Sequence, residues 1–188
     1  MEQQSEWLPT HIVLVGLMGT GKSSVGRQLA SLLRRPFVDT DKKVEARAAK
    51  TVRAIFENDG EIAFRSLEAE VVNDVLESRS PSVIAAAGGV VTQETNRDVL
   101  LRHRENHNCV VVWLRANTSE LLTRVQKGVH RPLLDTDPSG TLTAMARDRT
   151  PMYESVASVA VDTDGLNIAQ VADEVLRQLE ALKLRGEQ

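Results

Sequence analysis

A glycine-rich segment near the start of the chain has the residue types and spacing of a phosphate-binding loop. Residues 16–23 read Gly-Leu-Met-Gly-Thr-Gly-Lys-Ser, which matches the pattern G-x-x-x-x-G-K-[ST]. Glycines let the backbone curl so that successive N–H groups face phosphate oxygens. In such a loop Lys22 reaches the β- and γ-phosphates, and the Ser23 hydroxyl ligates Mg²⁺. The residues expected to contact a nucleotide here are Gly19, Thr20, Gly21, Lys22, Ser23 and Ser24.

Three further segments carry polar residues or glycines that a buried core would not need. Asp39-Thr40-Asp41 and Ala87-Gly88-Gly89 each follow a short apolar run, and Arg65 and Glu68 lie three apart in a helical pattern. Ligands of open α/β sheets bind beyond the carboxyl ends of the strands. We therefore expect the Asp39–Asp41 and Gly88-Gly89 segments at the same edge as the phosphate loop.

These polar residues also have purely structural interpretations. Asp39 and Asp41 could mark a strand end and a helix cap, and Arg65 with Glu68 could be a solvent-exposed ion pair. Phe64, beside Arg65, could lie in the core or line a pocket. The residue types alone leave these alternatives open.

Apolar runs alternate with amphipathic segments along the chain. The runs predict strands over His11–Val15, 36–39, 83–87, 109–114 and 156–161. Helical spacing predicts helices over 23–33, 41–49, 51–56, 61–77, 93–103, 118–127, 142–149 and 168–184. Thr40, Thr51 and Thr118 are expected helix caps. Strands that alternate with helices predict an α/β fold whose parallel sheet is covered by helices on both faces.

The domain organisation follows from the chain length and from the positions of glycine and proline residues. The chain has 188 residues, enough for one domain, and we assign residues 10–185 to it after a tail of residues 1–9. Residues 128–140 begin and end with glycine and include Pro132 and Pro138, so we expect a mobile lid there.

Charge and cysteine content limit the classes of function. The formal net charge is −3, which argues against a nucleic-acid-binding surface. The single cysteine, Cys109, lies in an apolar run and is expected to be a buried thiol in a reducing cytoplasm. We see no signal peptide and no apolar stretch that would cross a membrane.

Taken together, the motifs resemble the shikimate kinase family over about residues 11–180. The features in family order are the phosphate loop, Asp-Thr-Asp, Phe-Arg-x-x-Glu, Gly-Gly, Arg-Pro-Leu-Leu at residues 131–134 and the Arg149 to Tyr153 segment. The resemblance implies a P-loop fold with a five-stranded parallel sheet in three layers. It also implies ATP- and Mg²⁺-dependent phosphoryl transfer to the 3-hydroxyl of shikimate, a step in chorismate and aromatic amino acid biosynthesis.

The resemblance implies roles on the nucleotide side of the site. Asp39 helps Ser23 to hold Mg²⁺, usually through water. Arg131 lies on the lid and meets the phosphates, and Arg124 stacks near adenine. Phosphoryl transfer asks mainly for alignment and charge stabilisation, so Lys22 and Arg131 would act catalytically by supplying positive charge.

On the substrate side, the resemblance makes Asp41 the residue that binds two substrate hydroxyls. A carboxylate there could also accept the proton of the attacking hydroxyl, which makes Asp41 catalytic. Arg65 and Arg149 would clamp the substrate carboxylate, and the backbone of Gly88 and Gly89 would face the substrate. Two arginines suit bidentate carboxylate recognition better than lysines.

The sequence departs from the family pattern at one position, and several other functions are compatible with its residues. Many shikimate kinases have three glycines after the third strand, whereas this chain has Ala87 in the first position. The rivals are a kinase for another small hydroxylated acid such as gluconate or quinate, a nucleotide-binding regulator without turnover, and a nucleic-acid-directed ATPase. Family members are often monomeric, so we expect a monomer.

Overall fold

Five parallel strands form the centre of the fold, in the spatial order β2-β3-β1-β4-β5. The structure is a computed structural model that describes residues 9–126 and 136–186. The strands are β1 (His11–Val15), β2 (Phe37–Asp39), β3 (Ser82–Ala85), β4 (Cys109–Arg115) and β5 (Val159–Asp162). All five predicted strands are confirmed, and their carboxyl ends meet at one edge of the sheet because every pairing is parallel.

Eight helices connect and cover these strands in the described part of the chain. They are α1 (Lys22–Leu33), α2 (Thr40–Ala48), α3 (Val52–Asn58), α4 (Gly60–Glu77), α5 (Glu94–Glu105), α6 (Thr118–Gln126), α7 (Pro138–Val156) and α8 (Ile168–Gly186). A short 3₁₀ turn, Val90–Thr92, follows β3. No helix among these described residues is long and apolar enough to cross a bilayer.

The alternation of side chains along β1 builds two separate cores. Ile12 and Leu14 pack with α1 and α8 on one face, whereas Val13 and Val15 pack with residues of α4, α5, α6 and α7 on the other. Successive side chains of a strand point to opposite faces, so a fully apolar strand needs a cover on both. The result is the predicted three-layer α/β architecture.

Two local predictions were wrong. Thr40 does not cap α2; the Asp39 side chain does, by accepting from the Lys42 amide, and Thr40 is buried instead. The helix expected over 142–149 runs from Pro138 to Val156, so the last three residues of the predicted lid are helical. Asp137 caps its start, and proline is favoured in a first turn. Residues 128–135 of the lid lie outside the described residues.

Three smaller predictions have clear outcomes. Thr51 caps α3 by accepting from the Ala54 amide, as expected. Cys109 is a buried thiol, and burial raises its pKa to about 12. Phe64 belongs to the core, and the more exposed Phe56 packs on its ring at 4.6 Å between centroids.

A buried histidine stands at the amino-terminal edge of the sheet. His11 is fully buried; its ring nitrogens lie 2.8 Å from the Ser82 hydroxyl and 2.8 Å from the Ser78 carbonyl oxygen. Burial lowers the pKa of His11 below its ordinary value of 6.5, and the positive charge of nearby Arg35 acts in the same direction. The folded protein therefore keeps this ring neutral.

We predict that the stability contributed by neutral His11 is present above pH 6.5 and is lost as pH falls from there through the lowered pKa of the folded state. The unfolded chain binds the proton more readily, so acid favours unfolding. Urea unfolding across this pH range should show a steeper loss of the free energy of unfolding in the wild type than in His11→Gln. Equal slopes in the two proteins would contradict the prediction.

Candidate active site

The phosphate loop joins β1 to α1 and takes a backbone shape that glycine permits. Gly19 and Gly21 have φ angles of 86° and 90°. At Gly16 a Cβ atom would strike the carbonyl oxygen of Leu114 on the neighbouring strand. Lys22 Nζ lies over the loop and donates to the carbonyl oxygens of Gly16 at 2.8 Å and Leu17 at 3.0 Å.

Ser23 and Asp39 meet at the start of α1. The Ser23 hydroxyl donates to Asp39 Oδ2 at 2.9 Å, and Asp39 Oδ1 accepts from the Lys42 amide at 3.4 Å. One hydroxyl and one carboxylate fit Mg²⁺, which takes few protein ligands and completes its shell with phosphate oxygens and water. Within the described residues there is no cluster of three or more His, Cys, Asp or Glu that would suggest a different metal.

A polar cavity of about 310 Å³ is lined by most of the predicted nucleotide residues and by two of the predicted substrate residues, whereas Arg65, Gly89 and Arg149 lie outside its lining. The predicted site residues that line it are Gly19, Gly21, Lys22, Ser23, Ser24, Asp39, Asp41, Gly88 and Arg124. Thr20 does not line it, because its hydroxyl turns into the loop and donates to the Leu17 carbonyl oxygen at 2.8 Å. The carboxyl ends of β1, β2 and β3 therefore share one cavity, as their parallel order predicts.

Arg65 lies against the backbone that follows β3. Its Nη1 donates to Glu68 Oε2 at 2.9 Å, and a Cβ atom on Gly89 would lie 2.7 Å from the same nitrogen. Glu68 is fully buried; burial raises the pKa of its carboxyl, and the charge of Arg65 opposes this. The Arg65–Glu68 pair is thus not a solvent ion pair, and Glu68 holds the guanidinium next to Gly89.

Arg149 reaches the same backbone from α7. Its Nη1 donates to the Gly88 carbonyl oxygen at 3.1 Å. The charges of Arg65, Asp41 and Arg149 all act on the Glu68 carboxyl. Two arginines from distant parts of the sequence therefore converge on Gly88-Gly89, beside Asp41 in the cavity wall.

Arg124 lies on a surface helix, yet its side chain is mostly buried. Its side chain is only 25% exposed, since Nη1 and Nη2 donate to the hydroxyl and carbonyl oxygens of Thr163 at 2.9 and 2.7 Å. Nη1 also lies 3.5 Å from the Gly19 carbonyl oxygen. Arg124 thus joins the end of β5 to the phosphate loop, and its contact with adenine stays a prediction. Arg131 lies outside the described residues.

Two residues that fix the backbone after β3 had no role at the site in the sequence-based prediction. Thr40 accepts from the Ala87 amide at 2.9 Å, and Tyr153 donates from its hydroxyl to the Gly88 carbonyl oxygen at 2.6 Å. Threonine before a helix also suits a cap, and tyrosine on an amphipathic helix also suits a core. Their polar contacts cross 47 and 65 residues of sequence, which no local pattern reveals.

The fold and the site define an enzyme of the P-loop kinase class. Phosphoryl transfer requires a phosphate loop, a metal site and a substrate pocket. Here the phosphate loop follows the first strand, Ser23 and Asp39 form a candidate metal-binding pair, and the candidate substrate pocket lies at the same sheet edge. Known proteins with similar sequences and structures identify the family within this class.

The family model for shikimate kinase matches residues 18–180. A shikimate kinase of Symbiobacterium thermophilum is 45% identical over 179 residues, which cover 94% of this chain and 99% of that protein. The structure of shikimate kinase from Acinetobacter baumannii in complex with shikimate superimposes with a TM-score of 0.86 at 35% identity, covering 94% of this chain and 96% of the other. This chain belongs to the shikimate kinase family, and it is an ATP-dependent kinase.

A more distant structural match, a gluconokinase from Sinorhizobium meliloti, has a TM-score of 0.64 at 24% identity and covers 96% of this chain and 98% of its own. At this identity the likeness shows a shared fold alone.

We predict that Gly89→Ala weakens shikimate binding roughly tenfold while MgATP binding changes little. The new methyl group would lie 2.7 Å from Arg65 Nη1. The fold tolerates alanine there because Gly89 has a φ of −97°, so the flexible guanidinium is what moves. Calorimetric titration of both ligands measures the effect.

Gly165→Ala serves as the control for an added methyl group: its Cβ would meet no atom within 4 Å, and the strain of alanine at the φ of 69° is expected to lower stability rather than shikimate binding. This variant should bind shikimate as the wild type does. Wild-type shikimate affinity in Gly89→Ala would show that the position of Arg65 does not matter for binding.

Proposed function

We propose that this kinase transfers the γ-phosphoryl group of MgATP to the 3-hydroxyl of shikimate. The observation that carries the proposal is the convergence of Arg65 and Arg149 on the Gly88-Gly89 backbone, where Gly88 lies close to the phosphate loop and shares a cavity wall with Asp41. Two guanidinium groups suit a carboxylate, and the carboxylate of Asp41 suits hydroxyl groups. Shikimate carries one carboxylate and three ring hydroxyls, so it offers both kinds of contact.

The reaction follows from the positions of the residues. The phosphate loop and Lys22 hold the phosphates, and Asp41 orients the attacking hydroxyl and accepts its proton. The bond from the β,γ-bridging oxygen to the γ-phosphorus breaks as the bond from the substrate oxygen forms. Ser23 and Asp39 would hold Mg²⁺, whose charge neutralises the phosphate oxygens. Arg131 would add positive charge when the lid closes and excludes water.

Ala87 is compatible with this substrate. The described non-glycine residues with positive φ are Arg34, Ala49 and His107, so Ala87 has an ordinary backbone conformation. Its amide is held by Thr40, and the residue is buried. Its methyl group is therefore accommodated by packing at the strand end and gives no reason to replace shikimate by a related acid such as quinate or gluconate. A regulator without turnover would not need the intact set of Lys22, Ser23, Asp39 and Asp41.

The remaining expectations about the protein stay predictions. We propose a monomer that works in the cytoplasm, with no nucleic-acid partner, on the basis of the family resemblance and the net charge of −3. We likewise propose that residues 10–185 act as one kinase domain with a lid before α7.

The substrate assignment is tested by ADP release from MgATP with shikimate, quinate, gluconate or no acceptor. We expect release that depends on shikimate and exceeds release with the other acids by on the order of a hundredfold. The saturated ring of quinate and the open chain of gluconate place the carboxylate and hydroxyls differently from the flatter shikimate ring, which leaves polar groups of the site unpaired. Tight ATP binding without shikimate-dependent release would transfer the assignment to a related acid. Ala87→Gly would then be the first variant to examine.

The catalytic assignment is tested by Lys22→Ala and Asp41→Asn. We expect each to lower kcat by on the order of 10² to 10³, because Lys22 stabilises phosphate charge and Asp41 accepts the proton. We expect the same direction of change for Arg131→Ala. Steady-state kinetics measure the loss, and circular dichroism should show a native fold.

Lys43→Ala and Asp74→Asn are the matched controls, since both residues lie outside the site cavity. Both should keep wild-type kcat. Full turnover in Lys22→Ala or Asp41→Asn would remove that residue from the mechanism.

A further inference from the structure

We infer that Tyr153 is a positioning residue for binding of the acid substrate, acting through the Gly88 carbonyl group and Arg149. The inference rests on the proposed function and extends it to a residue to which the family resemblance gave no role.

The Gly88 carbonyl oxygen accepts two hydrogen bonds from one face of α7. The Tyr153 hydroxyl donates at 2.6 Å and Arg149 Nη1 at 3.1 Å. The two residues are four apart and therefore neighbours on the helix surface. A carbonyl oxygen has two lone pairs, so these two donors fill its capacity. The phenol and the guanidinium are thus joined through one oxygen atom.

The phenol of Tyr153 is held in place by its surroundings. Its side chain is 1% exposed, and its ring stacks on Trp113 with 5.7 Å between centroids. Trp113 pairs with Val15 in the parallel register, and Val15 directly precedes the phosphate loop. Burial also raises the pKa of the phenol above its ordinary value, so the group stays protonated and remains a donor.

The segment Ala87-Gly88-Gly89 is also held from the side that faces away from α7. Thr40 accepts from the Ala87 amide, and a Cβ atom on Gly88 would lie 3.5 Å from the Met18 amide nitrogen of the phosphate loop. The residues of this segment therefore touch α2, the phosphate loop and α7. Removing the phenol takes away one of the two hydrogen bonds from α7, and the phosphate loop keeps its own contacts.

Loss of the hydroxyl leaves the Gly88 carbonyl oxygen with Arg149 as its one remaining side-chain donor. The guanidinium then is the one described side chain that donates to this partly buried carbonyl while it also binds the substrate carboxylate. Its donors form a rigid fork, so they cannot be redirected independently. We therefore expect an effect on acid-substrate binding, with little effect on ATP binding or on the chemical step.

The test compares the wild type, Tyr153→Phe, Arg149→Ala and the double variant in steady-state kinetics. We expect Tyr153→Phe to raise KM for shikimate roughly tenfold, with KM for ATP and kcat within about twofold. In the Arg149→Ala background, the same change should raise KM for shikimate by less than about twofold, because Tyr153 acts through Arg149.

Ser158→Ala is the matched control. It also removes one hydroxyl that hydrogen-bonds to a backbone group, the Val111 amide at 3.2 Å, on the strand that carries Trp113. We expect its KM for shikimate to equal that of the wild type. A KM for Tyr153→Phe equal to the wild-type value, or an equal rise in the Arg149→Ala background, would overturn the inference.

A second readout does not need the phenylalanine variant to fold. Tyr153 is the only tyrosine in the chain, so fluorotyrosine labelling gives a single fluorine NMR signal. Saturating shikimate should shift this signal in the wild type and leave it in place in Arg149→Ala. An unmoved signal in active wild-type protein would overturn the inference alone. Absence of shikimate turnover in the wild type would overturn the proposed function, and the inference with it.

Discussion

The backbone that follows β3 runs between the phosphate loop and α7, and Gly88 and Gly89 bring it close to both neighbours. A Cβ on Gly88 would come into contact with the phosphate loop, and one on Gly89 would collide with the guanidinium of Arg65. Because this backbone is bare, Arg65 and Arg149 can approach it closely. The nucleotide side and the acid-substrate side of the site are therefore separated by little more than the thickness of one chain.

Charge balance makes this crowded arrangement stable. Two arginines next to each other would repel, but the buried carboxylate of Glu68 lies within the field of both. Burial of Glu68 is costly, and the hydrogen bond from Arg65 to Oε2 offsets part of that cost, since the buried Oε1 has no hydrogen-bond partner among the described residues. We propose that these guanidinium groups bind the substrate carboxylate and that Asp41, in the cavity wall, binds hydroxyl groups.

The sequence revealed much of this organisation, for identifiable reasons. Glycine spacing at residues 16–21 and apolar runs such as His11–Val15 are local signals, so the loop, all five strands and the parallel sheet could be predicted. The start of α7 could not, because Pro138 looks like part of a loop until Asp137 is seen to cap a helix. The partners of Tyr153 and Thr40 depend on how distant elements pack, which no spacing rule encodes. Family resemblance, rather than periodicity, supplied the roles of Arg65 and Arg149.

The central claim is that Arg65 and Arg149 recognise the carboxylate of shikimate. Calorimetric titration with shikimate and with its methyl ester, which has the same ring but no negative charge, tests this claim most directly. We predict that the wild type binds shikimate at least about a hundredfold more tightly than the ester. We also predict that the Arg65→Ala/Arg149→Ala double variant binds the two ligands alike. Equal affinity of the wild type for acid and ester would contradict the account.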